Sequence, residues 1–126
     1  MKMQDNYDHG LTCSIDVPDI KAAIEWYEKV LGFKTLYFLE DMGWCEMESP
    51  VVHVNVGLSE VEKMSLPQGN AVLVWGVKDI EQAKRTLEKH MVKIAGDIRT
   101  IPDMVKLLTF YDPFDNCFML YQDISK

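Results

Sequence analysis

The stretch VPDIKAAIEWYEKVLGF, residues 17–33, and the stretch VKDIEQAKRTLEKHMVK, residues 77–93, decide the fold between them. Sixty residues apart, Val17, Asp19, Ile20, Ala23, Glu28 and Lys29 match Val77, Asp79, Ile80, Ala83, Glu88 and Lys89 without a gap. Self-similarity at one fixed offset points to duplication of a supersecondary unit.

Each stretch reads as a helix. Ile20, Ile24, Tyr27 and Leu31 form one apolar stripe, with Asp19 as N-cap and Gly32 as the C-terminal stop. Ile80, Ala83, Leu87 and Met91 form the second stripe, and Asp79 with Gln82 fits a capping box. A strand pattern precedes each helix. Leu11, Cys13, Ile15 and Val17 alternate with Thr12, Ser14 and Asp16, whereas 71–77 is almost wholly apolar and reads as buried on both faces. Three strand-like runs follow each helix: 34–40, 44–49 and 51–58, then 92–100, 105–111 and 117–122. Asp41-Met42-Gly43, Ser49-Pro50, Pro102-Asp103 and Asp112-Pro113-Phe114-Asp115-Asn116 supply turns between them.

The expected fold class is therefore α+β. One domain spans 1–126, with a first βαβββ module at about 7–58, a connector at 59–69 and a second module at about 70–123. Each module is a sheet with one helix on its outer face. Two such curved, mixed sheets can enclose a cavity.

Length and charge bound the function. A chain of 126 residues supports one core without staples. A net charge of −7 argues against nucleic acid and anionic membrane surfaces, both of which attract basic proteins. No apolar run approaches the ~20 residues of a membrane span, and the start MKMQDNYDHG lacks a signal-peptide core. Cys13, Cys45 and Cys117 are odd in number and form no CxxC, so a reducing cytoplasm with free thiols is expected. The acidity is uneven: residues 1–60 hold four lysines against eleven acids, and residues 61–126 hold nine of each sign.

Val17-x-Asp19-x-x-x-Ala23-x-x-Trp26-Tyr27-x-x-x-Leu31-Gly32-Phe33 and Asp112-Pro113-Phe114-Asp115-Asn116-x-x-x-Leu120-Tyr121 resemble two signatures of the vicinal oxygen chelate superfamily. That superfamily holds glyoxalase I, bleomycin-resistance proteins and extradiol dioxygenases. With the duplication, the resemblance covers essentially the whole chain. It implies the paired-module fold and a homodimer, but no one activity. Metal enzymes of the family carry His, Glu or Gln at four strand positions. Carried over, two fall on Thr12 and Val72, a third on Met119, and the fourth on His53 or Asn55. A divalent cation needs oxygen, nitrogen or thiolate donors. Three of the four positions lack one, so no metal cofactor is expected. Phe114 and Asp115 also depart from the family's DPDGN motif.

Strand alternation then assigns a pocket lining. With Cys45, Met47, Val52, Val54 and Val56 under the helix, Trp44, Glu46, Glu48, His53 and Asn55 face a cavity, together with Thr12, Ser14 and Asp16. In the second module Val72, Val74, Met119 and Tyr121 do so, with Cys117 beside them. Carboxylates beside an aromatic ring, with apolar walls opposite, suit a cationic or aromatic organic ligand.

Three functions compete. The first is metal-independent sequestration of such a compound, as bleomycin-resistance proteins perform. The second is an enzyme with a rearranged site, using Glu46 and His53 as base and partner or as unconventional metal ligands. The third is a ligand-sensing module without catalysis. Each residue also has a purely structural use: Glu46 and Glu48 on a solvated face, His53 as a hydrogen-bonded side chain, His9 in solvent, and His90 at a helix end. Cys45 and Cys117 lack a His partner at recognisable spacing, and no GxGxxG, P-loop, HExxH or GxSxG pattern occurs.

Overall fold

Alternating runs and helical stripes fold as the duplication demands. The computed structural model describes residues 2–6, 8, 10–63 and 72–125, with the Met3 side chain set aside. His9 and most of the expected connector lie outside the described residues. The chain divides into two compact units, 1–64 and 65–126.

In the first unit, β1 (Leu11–Val17) leads to α1 (Ile20–Lys29), then β2 (Lys34–Leu39), β3 (Trp44–Glu48) and β4 (Val54–Glu60). The strand order is β1-β4-β3-β2, with β1 parallel to β4 and the other pairs antiparallel. The second unit repeats this with β5 (Leu73–Gly76), α2 (Ile80–Lys89), β6 (Lys93–Ile101), β7 (Val105–Tyr111) and β8 (Cys117–Asp123), ordered β5-β8-β7-β6. The βαβββ order thus occurs twice. No described helix is long and apolar enough to cross a membrane.

Both helices start alike. Asp19 accepts the Ala22 N–H at 3.1 Å, and Asp79 accepts that of Gln82 at 3.1 Å. The first helical N–H is taken by a side chain at the end of the neighbouring parallel strand: Glu60 for Ile20 at 3.0 Å, Gln122 for Ile80 at 2.8 Å. Only half of the expected capping box forms: Asp79 accepts the Gln82 N–H, and no described hydrogen bond runs back from the Asp79 N–H to the Gln82 side chain. Helix α1 buries Ile20, Ala23 and Tyr27, and Tyr27 meets Phe33 with ring centroids 5.7 Å apart. Cys45, Met47, Val56 and Leu58 complete that core, whereas Leu87, Leu108, Phe110, Phe118 and Leu120 build the second with Ile80.

Three sequence expectations fail for identifiable reasons. Met91 is 91% exposed and not part of the α2 stripe. The helix stops at Lys89, and Met91 takes the left-handed conformation (φ 57°) that Gly32 takes after α1 (φ 73°). The run 71–77 is not buried on both faces: Val72 and Val74 are 40% and 45% exposed. Among the described residues strand β5 is an edge, paired only with β8. Strand β4 begins at Val54, not at Val51, so Val52 is 78% exposed and not beneath the helix. The buried Ser49 accepts the Val51 N–H and donates to the Val54 carbonyl, closing 50–53 into a turn outside the ladder.

Candidate functional site

With Cys45, Met47, Val56 and Leu58 committed to the core, alternation sends their neighbours to the other face of the first sheet. Pairing register makes that face a grid running from β1 through β4 and β3 to β2. Its rows are Thr12–Asn55–Glu48–Lys34, Ser14–Gly57–Glu46–Tyr37 and Asp16–Ser59–Trp44–Leu39. Thr12, Ser14, Asp16, Trp44, Glu46, Glu48 and Asn55 therefore share one face.

Glu46 is the centre of its chemistry. It is 8% exposed. Its Oε2 accepts the Thr12 hydroxyl at 2.9 Å and the Asn55 amide at 3.2 Å. Both donors are neutral, and no ion pair among the described residues includes Glu46. Across from it, Gly57 leaves the sheet floor bare. A Cβ there would overlap the six-membered ring of the Trp44 indole, so the ring lies where a Gly57 side chain would stand. A glycine inside a strand pattern was the available sign of this close approach.

Thr12 and Asn55 also line a cavity of about 630 Å³ in the same unit, with Glu48 and His53. Asp8, Gly10, Leu11, Leu36 and residues 49–52 complete its wall, and alternation alone could not have gathered them. His53 sits in that turn with φ 63°, not on a strand. No described hydrogen bond links it to Glu46, whose contacts go to Thr12 and Asn55. The structure thus does not join the pair required for an acid–base reading. Cys45 lies beneath this face, and burial pushes its thiol up from the ordinary value.

The second unit groups its own expected residues differently. Val74, Met119 and Thr109 form one row, and Gly76, Tyr121 and Leu107 the next, with the Tyr121 ring crowding Gly76. Cys117 and Met119 lie on that face, and Val72 just precedes β5. This face carries no carboxylate in those rows. Among the described residues no three His, Cys, Asp or Glu side chains form a set able to hold a metal. Val72 has no donor atom, Met119 offers only a thioether, and the Thr12 hydroxyl is turned to Glu46. This donor set does not fit a divalent cation.

The family model described as Glyoxalase/Bleomycin resistance protein/Dioxygenase superfamily matches residues 11–120. No curated protein gives a significant match. A member of that superfamily from Sphaerobacter thermophilus is similar in structure, with TM-score 0.77, 23% identity, and 90% of this chain and 96% of the other covered. TnmS3, an antibiotic binding protein from Streptomyces sp. CB03234, gives TM-score 0.76 and 21% identity over 94% and 98% of the two chains. FosX, a fosfomycin resistance protein from Listeria monocytogenes, gives 0.74 and 9% over 88% and 89%. At these identities the likeness is one of fold.

Proposed function

The chain belongs to the glyoxalase/bleomycin resistance protein/dioxygenase superfamily, and we propose that within it the protein binds a small cationic or aromatic organic compound without a metal and without chemistry. One observation carries the reading: Glu46, a carboxylate more than nine-tenths buried, has only neutral donors around it and an indole beside it. Taking a charge out of water is costly unless a countercharge accompanies it. A ligand cation supplies that countercharge. The antibiotic binding protein among the fold relatives supports capture without turnover. The separation of His53 from the Glu46 contacts disfavours the catalytic alternative. The reading includes a reducing, cytoplasmic setting for the free Cys13, Cys45 and Cys117. It also includes a homodimer, in line with exposed Leu11 and Val74 on edge strands β1 and β5.

The test is direct. Dialysed protein is expected to hold no stoichiometric Zn, Ni, Fe or Mn. Cationic aromatic compounds are expected to quench tryptophan emission saturably, and sedimentation to report twice 14.5 kDa. One metal per chain surviving dialysis overturns metal independence. Absence of quenching and of any thermal shift across a broad panel overturns ligand capture.

A further inference from the structure

The two oxygens of Glu46 are not equivalent. Oε2 accepts two hydrogen bonds, one from β1 through Thr12 and one from β4 through Asn55. Two donors on one carboxylate oxygen fill its in-plane lone pairs. Oε1 accepts nothing from any described residue. It is nevertheless not sealed: Glu46 keeps 8% of its surface exposed. The carboxylate is thus deeply buried but not wholly shut off from outside.

Its surroundings are aromatic. Gly57, directly opposite Glu46 on β4, yields its space to the Trp44 ring, which places that ring at the carboxylate's flank. Tyr37 is the cross-strand neighbour on β2. Directly opposed Cβ atoms in an antiparallel sheet are about 4.5–5.5 Å apart. A cation meeting the Glu46 carboxylate thus has the Trp44 ring close by, and ring faces attract positive charge.

We infer that Glu46 engages its ligand through Oε1 alone, and so selects an ammonium group that carries an N–H, attached to a flat apolar body lying beside Trp44. This deepens the binding reading above and rests on it. The hydrogen bond from N⁺–H to Oε1 is what distinguishes such a ligand from a quaternary ammonium, which offers charge but no donor. Charge-assisted hydrogen bonds are short and directional, so removing the donor is expected to weaken binding about tenfold or more. Thr12 and Asn55 act as positioning residues. They hold Oε2 and so fix the direction in which Oε1 points.

Three matched probes test this by isothermal titration calorimetry at pH 7: 1-naphthylmethylamine, its N,N,N-trimethyl derivative and 1-naphthylmethanol. The expected order is primary amine, then trimethyl derivative, then alcohol, the first two separated about tenfold or more. In Glu46→Gln, checked as folded by its melting transition, the amine is expected to lose its advantage over the alcohol. Thr12→Val is expected to narrow the gap between amine and trimethyl derivative, and Thr12→Ser to restore it. Equal affinity of amine and trimethyl derivative for the unaltered protein overturns the inference, and requires no variant to fold. An amine preference that survives Glu46→Gln also overturns it. If all three probes bind equally, ligand capture stands and only the role of Glu46 falls. If none binds, nor any compound of the wider panel, the binding reading falls with it.

Discussion

At Gly57 a single methyl group decides where an indole can lie. Gly57→Ala puts a Cβ into the Trp44 ring from the backbone of a central strand, so the half-buried ring must move. Overpacking of this kind costs about 1–3 kcal/mol. Urea denaturation is expected to show that loss, and tryptophan emission to shift to the red as the ring is displaced. A second residue-scale expectation concerns Cys45, fully buried beneath the same sheet. Burial raises its thiol pKa, with Glu28 and Glu46 adding to the rise and a Thr35 hydrogen bond opposing it. The unfolded chain then loses its proton first as pH rises. The stabilising contribution is complete below the ordinary thiol value and is lost as pH climbs above it. Stability of the wild type is thus expected to fall more steeply above about pH 9 than that of Cys45→Val. The alternation 44–48 was legible in the sequence, since Cys45 and Met47 are apolar and their neighbours are not. The unequal roles of the two Glu46 oxygens were not, because they depend on Thr12 and Asn55 arriving from two other strands.

Among the elements, turns set boundaries that periodicity misses. In the second unit, Asp112 accepts the backbone N–H groups of Phe114 and Asn116 through Oδ1 and the Asn116 amide through Oδ2. It is buried, so these partners lose their acceptor without gaining water if it is removed. Asp112→Ala is expected to cost about 1–3 kcal/mol, read from the urea midpoint at unchanged m. Asp112→Asn is expected to recover part of it. The run Asp112-Pro113-Phe114-Asp115-Asn116 announced this turn by composition alone. Ser49-Pro50 announced the corresponding turn of the first unit, but valines at 51 and 52 imitate a strand. Only the Ser49 hydroxyl, by closing on Val51 and Val54, shows that pairing resumes at Val54. The helices were legible from their caps and apolar spacing. The end of α1 was legible in Gly32, but that of α2 was not, because a methionine in left-handed conformation does at 91 what a glycine does at 32.

At the scale of the whole chain, duplication is the part most plainly written in the residues. Two sheets with the same strand order grow from two stretches that share six residues at one offset. The copies have since taken different chemistry. Net negative charge concentrates in the first sixty residues, where lysines are few, and Glu46, the buried acid there, stands where the equivalent face of the second unit offers methionine, threonine and tyrosine. Six residues separate the last β3–β4 pair, Glu48 and Asn55, and five separate the last β7–β8 pair, Tyr111 and Cys117. The longer turn leaves Pro50, Val51, Val52 and His53 exposed at the cavity rim while strand register behind them is unchanged. Substitutions there alter the mouth of the cavity without touching a buried apolar side chain. A fold arranged in this way can drift toward new ligands by varying four surface positions, with its stability left largely out of the selection.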